Sequence, residues 1–73
     1  MLMSNTQPSF LDRGGALTAE DLAYIHSIYS TAPSPLGFIQ QLKSLVISLM
    51  HYEKAAQLRD IEKTILNGFK WTL

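Results

Sequence analysis

The chain contains no cysteine, which removes disulfides and thiolate metal sites from consideration and ties it to no oxidising compartment. Its two histidines, His26 and His51, are too few to build a metal centre by themselves. Net charge is also missing. Six basic residues balance six acidic ones over 73 positions, so no strong electrostatic grip on nucleic acid or on an anionic membrane is expected. There is no phosphate-cradling loop, because Gly14-Gly15 follows no strand and precedes no Lys-Ser/Thr pair. The first fifteen residues lack a basic stretch followed by an apolar core, unlike a secretory signal. The most apolar run, Pro35 to Met50, is too short and too polar to span a bilayer. No Ser-His-acid order stands out either. Together these absences predict a cytoplasmic, non-enzymatic protein with no catalytic residue, metal, cofactor, membrane span or small-molecule substrate.

What the chain does have is apolar surface. It is 47% hydrophobic and only 16% charged, the latter well below the usual ~25%. A chain this short buries only a thin core, so part of that surface stays uncovered unless another molecule covers it. A larger protein partner or a second copy of the chain is therefore expected. The charges are unevenly placed: residues 1–34 carry a net −2 and residues 35–73 a net +2.

Residues 1–15 read as a flexible tail, with Phe10-Leu11 as an alternative anchor and Gly14-Gly15 as a swivel. Thr18-Ala19-Glu20-Asp21 starts a first helix, with a threonine cap answered by an acid three residues on. Its apolar stripe is Leu22, Ile25, Ile28 and Tyr29, and His26 falls off that stripe towards solvent. The Pro33-Ser34-Pro35 segment stops it, and Ser34 and Pro35 suit the cap and first turn of the next helix. That second helix has a wide apolar arc, Leu36, Phe38, Ile39, Leu42, Leu45, Val46, Leu49 and Met50, with Ile47 interrupting the polar side; it should meet more than one neighbour. A turn at His51 returns the chain into a third helix. Its stripe is Ala55, Leu58, Ile61, Ile65 and Phe69, with Gly68 placed for a left-handed end. Arg59 with Glu62 and Asp60 with Lys63 stand at pairing distance along it, and Arg59-Asp60 reads as a local brace. Ala55-Ala56 marks the place where the second helix comes close. Phe69, Trp71 and Leu73 either fold back as a lid or stand out as aromatic anchors.

The predicted architecture is all-α: a small three-helix domain over residues 16–73, with helices at about 18–31, 35–50 and 52–67, the last two forming an antiparallel hairpin.

The run Tyr52-Glu53-Lys54-Ala55-Ala56-Gln57-Leu58-Arg59-Asp60 resembles the core of the UVR motif, in which aromatic-Glu-x-Ala-Ala-x-aliphatic-Arg-Asp begins the second arm of a short helical hairpin. Tyr52 stands where that motif usually has phenylalanine. Leu42, Ile47 and Met50 fall on first-arm positions and Ile65 on a later aliphatic one; Glu62 departs from the pattern, which has an aliphatic there, and Ile47 replaces a usual small residue. The resemblance covers residues 39–66. The motif occurs in the nucleotide-excision-repair subunits UvrB and UvrC and in adaptors of bacterial protein-quality-control systems, where the hairpin is a protein–protein contact device.

The resemblance and the composition predict an interaction module or small adaptor subunit, with Tyr52, Glu53, Ala56, Arg59, Asp60, Phe69 and Trp71 as the partner-binding residues. The alternatives are a nucleic-acid-associated accessory of the DNA-repair kind and a small phage-type inhibitor of a host complex.

Overall fold

The computed structural model describes residues 9–72. Among them are three α-helices, α1 (Ala19–Thr31), α2 (Pro35–Ser48) and α3 (Tyr52–Leu66), preceded by a 3₁₀ turn at Ser9–Asp12, and no strand. The protein is a small all-α three-helix domain.

Helix α1 begins with a complete capping box: the Asp21 N–H donates to Thr18 Oγ1 at 3.2 Å, and the Thr18 N–H donates to Asp21 Oδ2 at 2.9 Å. These bonds satisfy amides that have no partner within the helix. Helix α2 starts differently from expectation. Ser34 makes no side-chain cap, although its carbonyl accepts the first turn's amide from Phe38 at 2.9 Å. Its hydroxyl instead stands where a side chain at Gly37 would lie, 2.8 Å from a Cβ built there, and Pro35 supplies the preset first-turn geometry.

Both arms of the hairpin end in the same way. After α2, the His51 N–H reaches the Val46 carbonyl and the Met50 N–H reaches that of Ile47, at 2.8 and 2.9 Å. After α3, the Phe69 and Gly68 amides bond Thr64 and Ile65 at 3.1 and 3.0 Å. Each is a Schellman closure around one left-handed residue, Gly68 at φ +87° and Met50 at φ +64°. Glycine takes that conformation freely; methionine does not.

The core joins Ile25 of α1, Ile39 and Val46 of α2, and Ala55, Leu58 and Ile61 of α3 to Phe10, Leu11 and Leu17 from the segment before α1. Contacts pairing Gln40 and Lys43 with Glu62, and Ile47 with Tyr52 along one groove, show that α2 and α3 run antiparallel. Their mutual contact is the most extensive in the fold, and α1 rests on α2 more sparsely.

Several expectations change here. Residues 1–8 of the expected tail lie outside the described residues, but the chain from Ser9 onward is no tail: Phe10 and Leu11 are buried, and the Phe10 ring meets Tyr24 edge-on with centroids 6.3 Å apart. Ala55 is buried whereas Ala56, one residue further round the helix, is exposed. Glu62 pairs across to Lys43 and Gln40 rather than along the helix to Arg59, and among the described residues Asp60 forms no ion pair with Lys63 or Arg59. His26 is half-buried, its Nε2 3.1 Å from the Trp71 carbonyl, because the chain end turns back over α1. Phe69 leaves the α3 stripe once the helix has ended at Leu66 and is 68% exposed.

Candidate docking groove on the hairpin

An open groove of about 340 Å³ runs between α2 and α3, lined by Lys43, Ile47, Tyr52, Ala55, Ala56 and Arg59. Its floor follows from local sequence. Positions 52, 55, 56 and 59 share one side of α3 at three- and four-residue spacing, and the two alanines keep that side low. Ile47 forms the facing wall; it is the apolar residue that breaks the polar side of α2. Tyr52 is 65% exposed and closes one end.

The electrostatics of the groove are set by Glu62. This carboxylate is buried between the arms, bonded by the Lys43 ammonium and by the Gln40 amide at 3.0 Å. Those two donors, Lys43 foremost, hold its carboxyl below the ordinary carboxylate range against the opposing effect of burial. Lys43 is thereby neutralised, while Arg59 has no carboxylate partner among the described residues. The groove is thus an apolar trough with Arg59, a cation without a carboxylate partner among the described residues, on its rim.

Of the seven residues expected to bind a partner, the fold brings Tyr52, Ala56 and Arg59 together in this groove. Glu53 and Asp60 are exposed on α3 outside its lining, and Phe69 is exposed past the end of that helix. Trp71 lies elsewhere. Its ring meets His26 and Tyr29 edge-on, with centroids 5.0 and 5.3 Å away, and borders a separate hollow with Ser30, Pro35, Lys70 and Thr72. The aromatic ending is therefore split: Trp71 folds back, Phe69 stands out, and Leu73 lies outside the described residues.

Three groove residues, Lys43, Ile47 and Ala55, were absent from the expected set. Ile47 carried a signal, an apolar side chain on an otherwise polar arc; Lys43 carried none, since its place depends on how α2 faces α3. Sequence reasoning also passed over Lys54 and Gln57, which hold the segment before α1. Lys54 is 0% exposed, and its Nζ donates to the carbonyls of Arg13 and Gly15, the latter at 2.7 Å. Gln57 brackets Leu17, accepting from its N–H at 2.6 Å and donating to its carbonyl at 3.4 Å. Arg13 pairs with Asp21. Burial works to raise the Asp21 carboxyl, but the Thr18 amide and Arg13 outweigh it and hold it below its usual value.

Among the described residues, no three or more His, Asp or Glu side chains gather as metal ligands would, and no helix is long and apolar enough to cross a membrane. No protein-family model matches the chain, and comparison with curated proteins and with solved structures returns no match to either.

Proposed function

We propose that this protein is a non-enzymatic cytoplasmic interaction module that docks on a larger protein through the groove between α2 and α3. The observation that carries this reading is the groove itself: Ile47, Tyr52 and Ala56 form an apolar trough that no other part of the described chain covers, with Arg59, which has no carboxylate partner among the described residues, on its rim. A partner helix with an apolar side chain over Ala56 and an acidic one near Arg59 complements it in shape and charge. The likeness of Tyr52–Asp60 to the UVR motif supports the same reading, because the resembling residues Tyr52, Ala56 and Arg59 are groove residues, and the motif serves protein contacts where it is known. The departure at Glu62 changes how the arms are held together, with a cross-hairpin ion pair in place of an aliphatic contact.

The test is affinity capture with the wild type, Ala56→Arg and Ser27→Arg. Ala56 and Ser27 are both exposed, so both variants keep the fold, which circular dichroism checks. A partner captured in stoichiometric amount by wild type and Ser27→Arg, lost with Ala56→Arg and retained at about 0.5 M salt is the expected outcome. Phosphate binding weakens steeply over the same salt range. Capture unaffected by Ala56→Arg, or consisting of nucleic acid released by salt, overturns the proposal.

A further inference from the structure

The segment before α1 is held mostly by its main chain. His51 Nε2 lies 3.0 Å from the Leu11 carbonyl, Lys54 Nζ bonds the carbonyls of Arg13 and Gly15, and the Gln57 amide brackets both main-chain groups of Leu17. Phe10 and Leu11 supply the apolar anchors, buried in the core and against Tyr24. A cradle that reads carbonyls and two apolar side chains does not register which molecule supplies them. The strap is joined to the rest of the fold through Gly14-Gly15. Both are exposed, neither would meet another atom within 4 Å if it carried a Cβ, and Gly15 sits at φ +84°. The path that brings the strap back onto its own chain thus depends on one left-handed glycine, with no packing to enforce it.

We propose that the strap, residues 9–13, exchanges between two copies of the chain, so that each supplies Phe10 and Leu11 to the other's core. The occupant follows from chemistry, since a second copy carries the one strap already known to fit. Gly15 and Leu17 lie on the body side of the hinge and keep their bonds to Lys54 and Gln57. Lys54 would then bridge the two molecules, holding its own Gly15 carbonyl and its partner's Arg13 carbonyl. The Arg13–Asp21 pair would likewise form between copies. The closed monomer and the exchanged dimer share these contacts and differ in hinge conformation and in the cost of association. With glycine at 15 the closed form is unstrained, and a tethered strap competes at an effective concentration on the order of mM. The wild type is therefore a monomer when dilute and exchanges as it approaches that concentration. A residue that resists positive φ removes the closed form and leaves exchange as the way to bury Phe10.

The experiment is light scattering on the full chain, wild type and Gly15→Val, with isotope-filtered NMR on mixtures of labelled and unlabelled copies. Gly15→Val is expected to have twice the 8.2 kDa chain mass at concentrations at least about tenfold below those at which the wild type begins to dimerise. Contacts between the rings of Phe10 and Tyr24 should be intermolecular in that dimer. Adding Phe10→Ala should return it to a monomer. Should Gly15→Val fail to fold, the wild type refolded at about millimolar concentration supplies the same readout. A Gly15→Val protein that folds as a monomer, or a wild type that stays monomeric when refolded at about millimolar concentration, overturns the proposal. So does any dimer, of either chain, whose Phe10–Tyr24 contacts stay within one molecule.

Discussion

Met50 offers the sharpest test of how the hairpin turn is built. It occupies the left-handed position of the α2 closure at φ +64°, yet its side chain is 73% exposed and contributes little burial. An L-residue in that conformation costs roughly 1–2 kcal/mol, because its Cβ crowds the following carbonyl oxygen. Met50→Gly removes that strain but gives the unfolded chain more freedom, which offsets about 0.5–1 kcal/mol. The net expectation is a stabilisation of about 0.5–1 kcal/mol. At roughly 4–8 °C per kcal/mol for a domain of this size, Tm should rise by about 2–8 °C in a thermal melt followed by circular dichroism. Gly68→Ala is the mirror experiment. Gly68 closes α3 at φ +87° with the same pair of hydrogen bonds, so adding a Cβ there should cost about 1 kcal/mol. A Met50→Gly protein that melts at or below the wild-type temperature, while Gly68→Ala behaves as expected, refutes the reasoning; it would mean that the Met50 side chain makes a contact outweighing its backbone strain.

Two further expectations concern the hairpin interior. Ala55→Leu should destabilise by about 1–3 kcal/mol through overpacking of a buried site, whereas Ala56→Leu, on the exposed side, should stay within about 0.5 kcal/mol; equal effects in urea titrations would show that the helix has been assigned the wrong rotation. The Asp21 and Glu62 carboxyls both have folded-state pKa values below their ordinary 3.8 and 4.5, so their contribution is present in full above those values and is lost as pH falls through the lower folded ones. Unfolding free energy should therefore decline between about pH 5 and pH 2, and Glu62→Gln should flatten that decline, an outcome read from urea titrations at each pH. A decline of the same size in the variant would remove Glu62 from the account.

Much of the helical layout was legible because its signals are local. Thr18 and Asp21 are three residues apart, and the capping box needs nothing beyond them. Proline at 35 opens α2 by its own ring geometry, and Gly68 ends α3 by its lack of a Cβ. The strip containing Tyr52, Ala56 and Arg59 was likewise visible from helical spacing. The errors fell where a side chain's partner lies far along the chain. Glu62 has Arg59 at a suitable distance on its own helix but meets Lys43, 19 positions earlier. Lys54, which helical spacing leaves unassigned, is buried beneath carbonyls about 40 positions away.

The sequence by itself determined that the chain forms three helices, where they start and stop, and which side of each is apolar, because hydrogen-bond caps, proline rings and helical periodicity act over a few residues. Tertiary structure alone decided which acid crosses the hairpin, and that Phe10 and Trp71 fold inward. These outcomes depend on how helices rotate against one another and on where loose segments find unsatisfied donors and apolar cover. Both are properties of the assembled surface, which no short window of residues contains.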